Sequence, residues 1–436
     1  MTSPNIKGYR AELLSVASDP RACGDAAIDH YADGLLVVEE GVIVAVGDFE
    51  ALAPRWRGLA TEHFPGKLII PGFVDTHVHY AQVDRIAAHG HRLLDWLERH
   101  IYPAEAAFFD PVRAAEAANF FLDELLRNGT TTALVFPTVH EVSVDALFDA
   151  ALARRMRIIS GKVLMDLGPD GLRDQSGLGR AESEALISRW RGRGRLGYAV
   201  TPRFALTSSD AQLQMAGELM AAHPDVLLHT HLAENREEIA AVAERFSDAP
   251  DYLGVYEQFG LVGPRSVFAH CIHLQPNALA RMAIAGAGAS LCPGSNLFLG
   301  SGLFDLARLD AAGVRMGFGT DIGGGTSFSL LATMRDAYKV CQLQGETLDP
   351  FRALHLATAG GAAILNLGDR IGALRPGMEA DFLVLDPAAT PLLARRTAGQ
   401  SLAERLFALQ ILGDDRAILA TAVAGDLLYR RDRAAA

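Results

Sequence analysis

Leu68-Ile69-Ile70-Pro71-Gly72-Phe73-Val74-Asp75-Thr76-His77-Val78-His79 is the stretch from which the fold of this chain can be read. It opens as a near-continuous apolar run, the composition of a strand buried on both faces, and closes in His-x-His. Side chains alternate along a strand, so His77 and His79 share one face. Two neutral imidazoles pointing the same way at a strand end form half of a site for zinc or a similar ion. Taken alone, the pair equally describes two solvated loop histidines. The segments downstream decide between these readings.

Seven further apolar segments follow, at 130–136, 157–165, 196–201, 226–231, 266–270, 289–292 and 314–319. Periodic helical stretches, such as 114–127, 211–222 and 237–246, lie between them. With 68–74 they make eight strands. Alternating strand and helix units predict a parallel sheet, and eight of them predict a (β/α)8 TIM barrel. Such barrels carry their chemistry at the carboxyl ends of the strands. In this chain the polar residues fall there. The first strand ends in His77 and His79, the fourth runs into Arg203 and Phe204, and the fifth ends in His229-Thr230-His231-Leu232-Ala233-Glu234. The sixth ends at His270, and the eighth runs into Thr320-Asp321.

The chain ends read differently. Segments 34–38 and 42–46 flank Glu39-Glu40-Gly41, a hairpin signal, and strands return at 381–385, 417–423 and 425–429 after a long helical region over 330–367. We expect a small β-sandwich domain built from both ends (1–67 and 373–436) around a catalytic barrel spanning 68–372.

Composition narrows the function. The 436 residues are 50% hydrophobic, ample for a large core, and the formal charge of −12 disfavours nucleic acid or anionic membrane as a partner. No run is long enough to span a membrane, and the first twenty residues lack the apolar core of a signal peptide. The four cysteines are far apart and form no CxxC, which fits a reduced, cytoplasmic enzyme.

The strand-end residues suggest roles. His77 and His79 give two metal ligands, His231 the third and Asp321 a carboxylate fourth, a set that suits an open catalytic site. His229 has the parity of His231 but lies deeper, as a packing or supporting residue. Glu234 follows the third ligand and is the candidate proton carrier; it could instead open the next helix, where acids favour the N-terminus. His270 is either a ligand or a group that orients the nucleophile, and His273 reads as a loop residue. The fourth strand, 196–201, contains no lysine to bridge two metals, so one ion is expected. Lys162 reads as a structural salt bridge.

These residues resemble the amidohydrolase superfamily, in its aminohydrolase branch. The resemblance rests on Pro71 to His79, His231-Leu232-Ala233-Glu234, His270, Thr320-Asp321 and the terminal Gly372-Ala373-Leu374-Arg375-Pro376-Gly377. Within that branch the chain is most similar to the guanine deaminases. The pieces that carry this are His79-Tyr80-Ala81-Gln82, Leu94-Asp95-Trp96-Leu97, Tyr102-Pro103-Ala104-Glu105, Thr201-Pro202-Arg203-Phe204 and Cys292-Pro293-Gly294-Ser295-Asn296-Leu297. The resemblance implies one zinc held by His77, His79, His231 and Asp321, with iron or manganese also compatible. It implies a nucleobase read by Gln82, Arg203 and Phe204, with Trp96 available to cover its face. Glu234, His270 and Asp321 are then the catalytic groups. The implied reaction is guanine to xanthine and ammonia. The same chemistry on 8-oxoguanine, a pterin, cytosine or a triazine is the alternative, and a non-catalytic scaffold a more distant one. A homodimer is usual in such families. Arg203 has a structural alternative as well, a salt bridge to Glu105. Deaminases of the other zinc fold use H-x-E with P-C-x-x-C, which this chain lacks.

Overall fold

The computed structural model describes residues 6–90, 92–174 and 178–431; the outermost residues of the expected end domain, 1–5 and 432–436, lie outside them. Eight strands form the barrel. They are β1 (Phe73–His79), β2 (Thr130–Phe136), β3 (Arg157–Ser160), β4 (Gly197–Pro202), β5 (Leu227–Leu232), β6 (Ser266–His270), β7 (Gly288–Leu291) and β8 (Arg315–Phe318). Neighbours pair in parallel and in chain order from β1 to β8. The ring closes where Asp321 N donates to His77 O and His79 N to Ile322 O, both at 2.9 Å.

The inside of the barrel is graded. Val74, Leu134, Ile159, Ala199, Leu227 and Val267, one from each of six successive strands, form an apolar floor, sealed from below by Ile364, Leu365 and Ile371. Two residues further along β1, Thr76 bonds Ser290 Oγ at 2.6 Å and Phe318 O at 2.9 Å. One more step up lie the histidines. Above the floor the strands carry polar side chains to the carboxyl-terminal mouth, where partners await them; at the opposite end of β3, Arg157 is ion-paired to Glu379.

A second, seven-stranded mixed sheet joins the two chain ends. Its order is Asp426–Arg430, Ile418–Val423, Phe382–Leu385, Thr61–Pro71, Ile6–Val16, Ile28–Glu39 and Val42–Asp48. The expected hairpin is there, with Glu39 opposite Val42 and both turn residues, Glu40 and Gly41, at positive φ, the backbone of a tight two-residue connection.

Three expected elements divide. The segment 68–74 breaks at Gly72: Leu68 to Pro71 pair with Phe382–Leu385 in the terminal sheet, and the barrel strand starts at Phe73. A Cβ at Gly72 would lie 2.1 Å from Thr131 Oγ1, so glycine is needed where the chain passes between the sheets. The segment 157–165 splits into β3 and a short Val163–Leu164 strand beside β4. The long helix expected over 330–367 ends at Leu343, ahead of Gly345 at φ +77°, and restarts at Pro350, which Asp349 caps. Apolar continuity masked the break at Gly72, whereas Gly345 and Asp349-Pro350 are helix stop and start signals inside the third segment.

Candidate active site

Val74 and Thr76 already face inward, and the register of β1 against β2 shifts between Asp75 and Val78; across that shift His77 and His79 come together at the mouth. His77 Nε2 and His79 Nε2 lie 3.3 Å apart, and His231 Nε2, at the end of β5, is 3.3 Å from His79 Nε2. Asp321 Oδ1 approaches His77 Nε2 at 3.2 Å and His79 Nε2 at 3.4 Å. Two nitrogens bound to one zinc at a tetrahedral angle are about 3.3 Å apart, given bonds of about 2.05 Å, so His77, His79 and Asp321 have the spacing of a single shell, and His231 stands at the same spacing from His79. Burial holds His77, His79 and His231 well below the ordinary histidine range, which keeps them neutral and able to ligate.

The far sides of these rings set which nitrogen is free. His231 Nδ1 donates to Arg203 O at 2.7 Å, leaving the Nε2 lone pair to face the cluster. His77 Nδ1 is hydrogen-bonded to His229 Nε2 at 2.7 Å. His229 thus stands behind His77, outside the donor cluster. The residues present fit a divalent cation.

Beside the cluster, Glu234 accepts from Ser301 Oγ at 2.9 Å through Oε1, while Oε2 lies 3.5 Å from His270 Nε2. Burial is the main cause that lifts the Glu234 pKa to about 7. For His270, burial works against the charged form, but Glu234 and Asp321 outweigh it and its pKa is raised. His270 Nδ1 donates to Asn296 Oδ1 at 2.9 Å, and its Nε2 is buried without a hydrogen-bond partner. His270, His77 and Asp321 also form a second group with metal-ligating spacing. The backbone is bent where these groups leave their strands: Ala233, His270 and Asp321 have φ of +52°, +72° and +51°. Each such conformation costs about 1–3 kcal/mol, held by the surrounding packing.

The cavity above is lined by Gln82, Trp96, Arg203 and Phe204, with His79, His231, Glu234, His270 and Asp321 at its base. All the expected site residues except His77 therefore line one cavity, and His77 lies directly beneath. Arg203 is fully buried and also makes the ion pair given as its structural alternative, with Nη1 2.5 Å from Glu105 Oε2. Lys162 stands apart, in a buried ion pair with Asp174 and Glu182. His273 Nε2 donates to Ser301 O at 2.8 Å and so braces the loop that holds Glu234.

Sequence reasoning missed several supports. Glu238 receives the backbone N–H groups of Glu234 and Asn235 at 3.1 and 3.0 Å; its signal was the capping box Asn235-x-x-Glu238. Asp75 is buried, its pKa pushed to about 7, and accepts from Thr320 N at 3.1 Å, tying β1 to β8. Ser301 had no spacing signal.

The amidohydrolase family model matches residues 68–428. Guanine deaminase of Escherichia coli K12 is 48% identical over 430 residues, covering 98% of each chain. The solved structure of the E. coli guanine deaminase superposes with a TM-score of 0.95 over 98% of this chain and all of that one. A Clostridium acetobutylicum guanine deaminase structure with guanine in its active site is 27% identical, with a TM-score of 0.90 over 98% of this chain and all of that one. A zinc-bound adenosine deaminase from Xanthomonas campestris is 25% identical, with a TM-score of 0.84 over 96% and 92%. The chain belongs to the amidohydrolase family and is a hydrolase of carbon–nitrogen bonds other than peptide bonds.

Proposed function

We propose that this chain hydrolyses guanine to xanthine and ammonia with one zinc ion. The observation that carries the reading is the gathering of His77, His79, His231 and Asp321, with a buried Glu234 whose pKa is raised to about 7, beneath a cavity lined by Gln82 and Arg203. Similarity to guanine deaminases over nearly the whole chain supports the choice of base.

A zinc held by His77, His79, His231 and Asp321 would supply the Lewis acidity that brings a water's pKa near 7; iron or manganese would also suit these donors. Glu234, with a pKa of about 7, takes one proton from the attacking water and returns it to the ring nitrogen beside C2. The water oxygen bonds to C2. His270, with its raised pKa and its Nε2 free, donates to the oxygen that gains charge. Ser301 holds Oε1 of Glu234 and leaves Oε2 to move the proton. Glu234 then takes the remaining proton of the hydroxyl now on C2 and gives it to the 2-amino group; the C2–N bond breaks, ammonia leaves and the oxygen stays on C2 as the carbonyl of xanthine. Arg203 and Gln82 bind the polar edge of the base, while Phe204 and Trp96 bound its faces.

The cytoplasmic location and the homodimer belong to this proposal; no described helix is long and apolar enough to cross a membrane. Product analysis tests the reaction. One ammonia and one xanthine should appear per guanine consumed. Chelation should abolish turnover and zinc should restore it. Chelator-resistant turnover, or a different product, would refute it.

A further inference from the structure

We propose that Glu105 is a positioning residue that fixes the hydrogen-bonding polarity of the base-reading end of the cavity; the proposal rests on the guanine reading above. Glu105 is buried on the short helix Tyr102–Ala106, at 1% exposure, and is not among the residues that line the cavity. Its two carboxylate oxygens take different partners. Oε2 accepts from Arg203 Nη1 at 2.5 Å, and Oε1 accepts from Gln82 Nε2 at 2.8 Å. Gln82 Oε1 in turn accepts from Gly323 N at 3.1 Å. The connection joins the loops after β1, β4 and β8.

Its chemistry allows one arrangement. The Gly323 N–H only donates, so the side-chain atom facing it must be the Gln82 oxygen. The Gln82 amino group then faces Glu105, which as the partner of Arg203 is an acceptor on both oxygens. The second N–H of Gln82 and the remaining N–H groups of Arg203 are the hydrogens left to offer a ligand. Such a set suits an edge that carries acceptors. Guanine presents O6 and N7 as acceptors, whereas a 6-aminopurine puts an N–H donor in place of O6. Glu105 thus selects the carbonyl-bearing ring without touching it. It also neutralises the buried guanidinium, so the site is matched to a neutral base.

The test compares guanine with 2,6-diaminopurine, which keeps the 2-amino group and replaces the carbonyl by an amine. Zinc-loaded wild type, Glu105→Gln and Glu105→Asp are assayed by ammonia release, with metal content and melting temperature measured in parallel. A glutamine at 105 has one donor end, so it cannot accept from both Arg203 and Gln82, and the Gln82 amide loses its fixed sense. We expect KM for guanine to rise about tenfold or more, the order for one hydrogen bond to a charged group. Metal content should stay at the wild-type value and kcat within about threefold, the mark of lost uniform binding. The preference for guanine over 2,6-diaminopurine should fall about as much as KM rises. Glu105→Asp keeps both acceptors on a shorter arm, so KM should rise while most of the preference survives. Unchanged KM and preference in either variant overturns the proposal. So does an equal loss of kcat on both bases with the preference intact, and so does failure of both variants to fold, since each assigns Glu105 to stability alone. If the wild type releases no ammonia from guanine, the functional reading itself fails; if it does and the variants match it, only the role of Glu105 falls.

Discussion

Glu234→Gln exchanges one carboxyl oxygen for an amide nitrogen at nearly constant volume, and the structure predicts two opposite effects. In the folded chain burial, opposed by His270 and reinforced by Asp321 and Glu238, raises the Glu234 pKa from 4.5 to about 7. That difference corresponds to about 3 kcal/mol. Below pH 4.5 the carboxyl is protonated whether the chain is folded or not, and it imposes no pH-dependent penalty. As the pH rises towards 7 the unfolded chain releases its proton first, so the fold loses stability, and the loss is complete above about 7. Glutamine does not titrate. Metal-free Glu234→Gln should therefore be more stable than metal-free wild type by about 3 kcal/mol at pH 8, with most of that gain gone at pH 5. Urea denaturation of chelator-treated proteins at the two pH values measures this. In the zinc-loaded state the same variant should bind metal normally and lose at least ~10²-fold in kcat, the lower range for general acid–base catalysis. An equal stability difference at both pH values would refute the raised pKa, and near-normal turnover would refute the proton-carrier role.

Further predictions follow from the contacts around the site. His231→Ala removes a donor and should abolish stoichiometric zinc. His229→Ala removes only the partner of His77 and should weaken zinc about 10–100-fold in a chelator competition; the reverse order would exchange their roles. Arg203→Met should leave metal content unchanged, raise KM for guanine and shrink the preference for guanine over 2-aminopurine. It also strands Glu105 in the interior, so denaturation should show a loss of about 3–5 kcal/mol. Ser301→Ala frees one oxygen of Glu234 and should lower kcat by roughly tenfold with KM for guanine little changed; an unaltered kcat would show that Ser301 does not orient the carboxyl.

The barrel was legible because strand and helix patterns alternate eight times and five of the eight strands run into residue types that an apolar core excludes. His77, His79, His231, His270 and Asp321 recur at one topological position, and the structure brings their donor atoms to the mouth of the barrel. The division at Gly72 was hidden because the apolar run crosses it, whereas the one at Gly345 had a local signal in Gly345 and Asp349-Pro350. Which sheet Leu68 joins depends on Phe382–Leu385, over 300 positions away in the chain. The supports of the site escaped for a similar reason. Ser301 meets Glu234 across 67 positions and Glu105 meets Arg203 across 98, and no periodicity links residues so far apart. Arg203 also shows that two readings of one residue need not exclude each other: it is ion-paired to Glu105 and it lines the cavity. Only Glu238, at the third position of its helix, left a local trace.

The most direct test of the account is kcat/KM for ammonia release by the zinc-loaded enzyme across guanine, 8-oxoguanine, adenine, cytosine, a pterin and an aminotriazine. A cavity whose polar end is set by Arg203 and Gln82 predicts that guanine exceeds each of the others by at least about fivefold, the least that one unpaired buried hydrogen-bonding group would cost. A higher kcat/KM for any other ring, or no ammonia from guanine by protein with one zinc bound per chain, would contradict it.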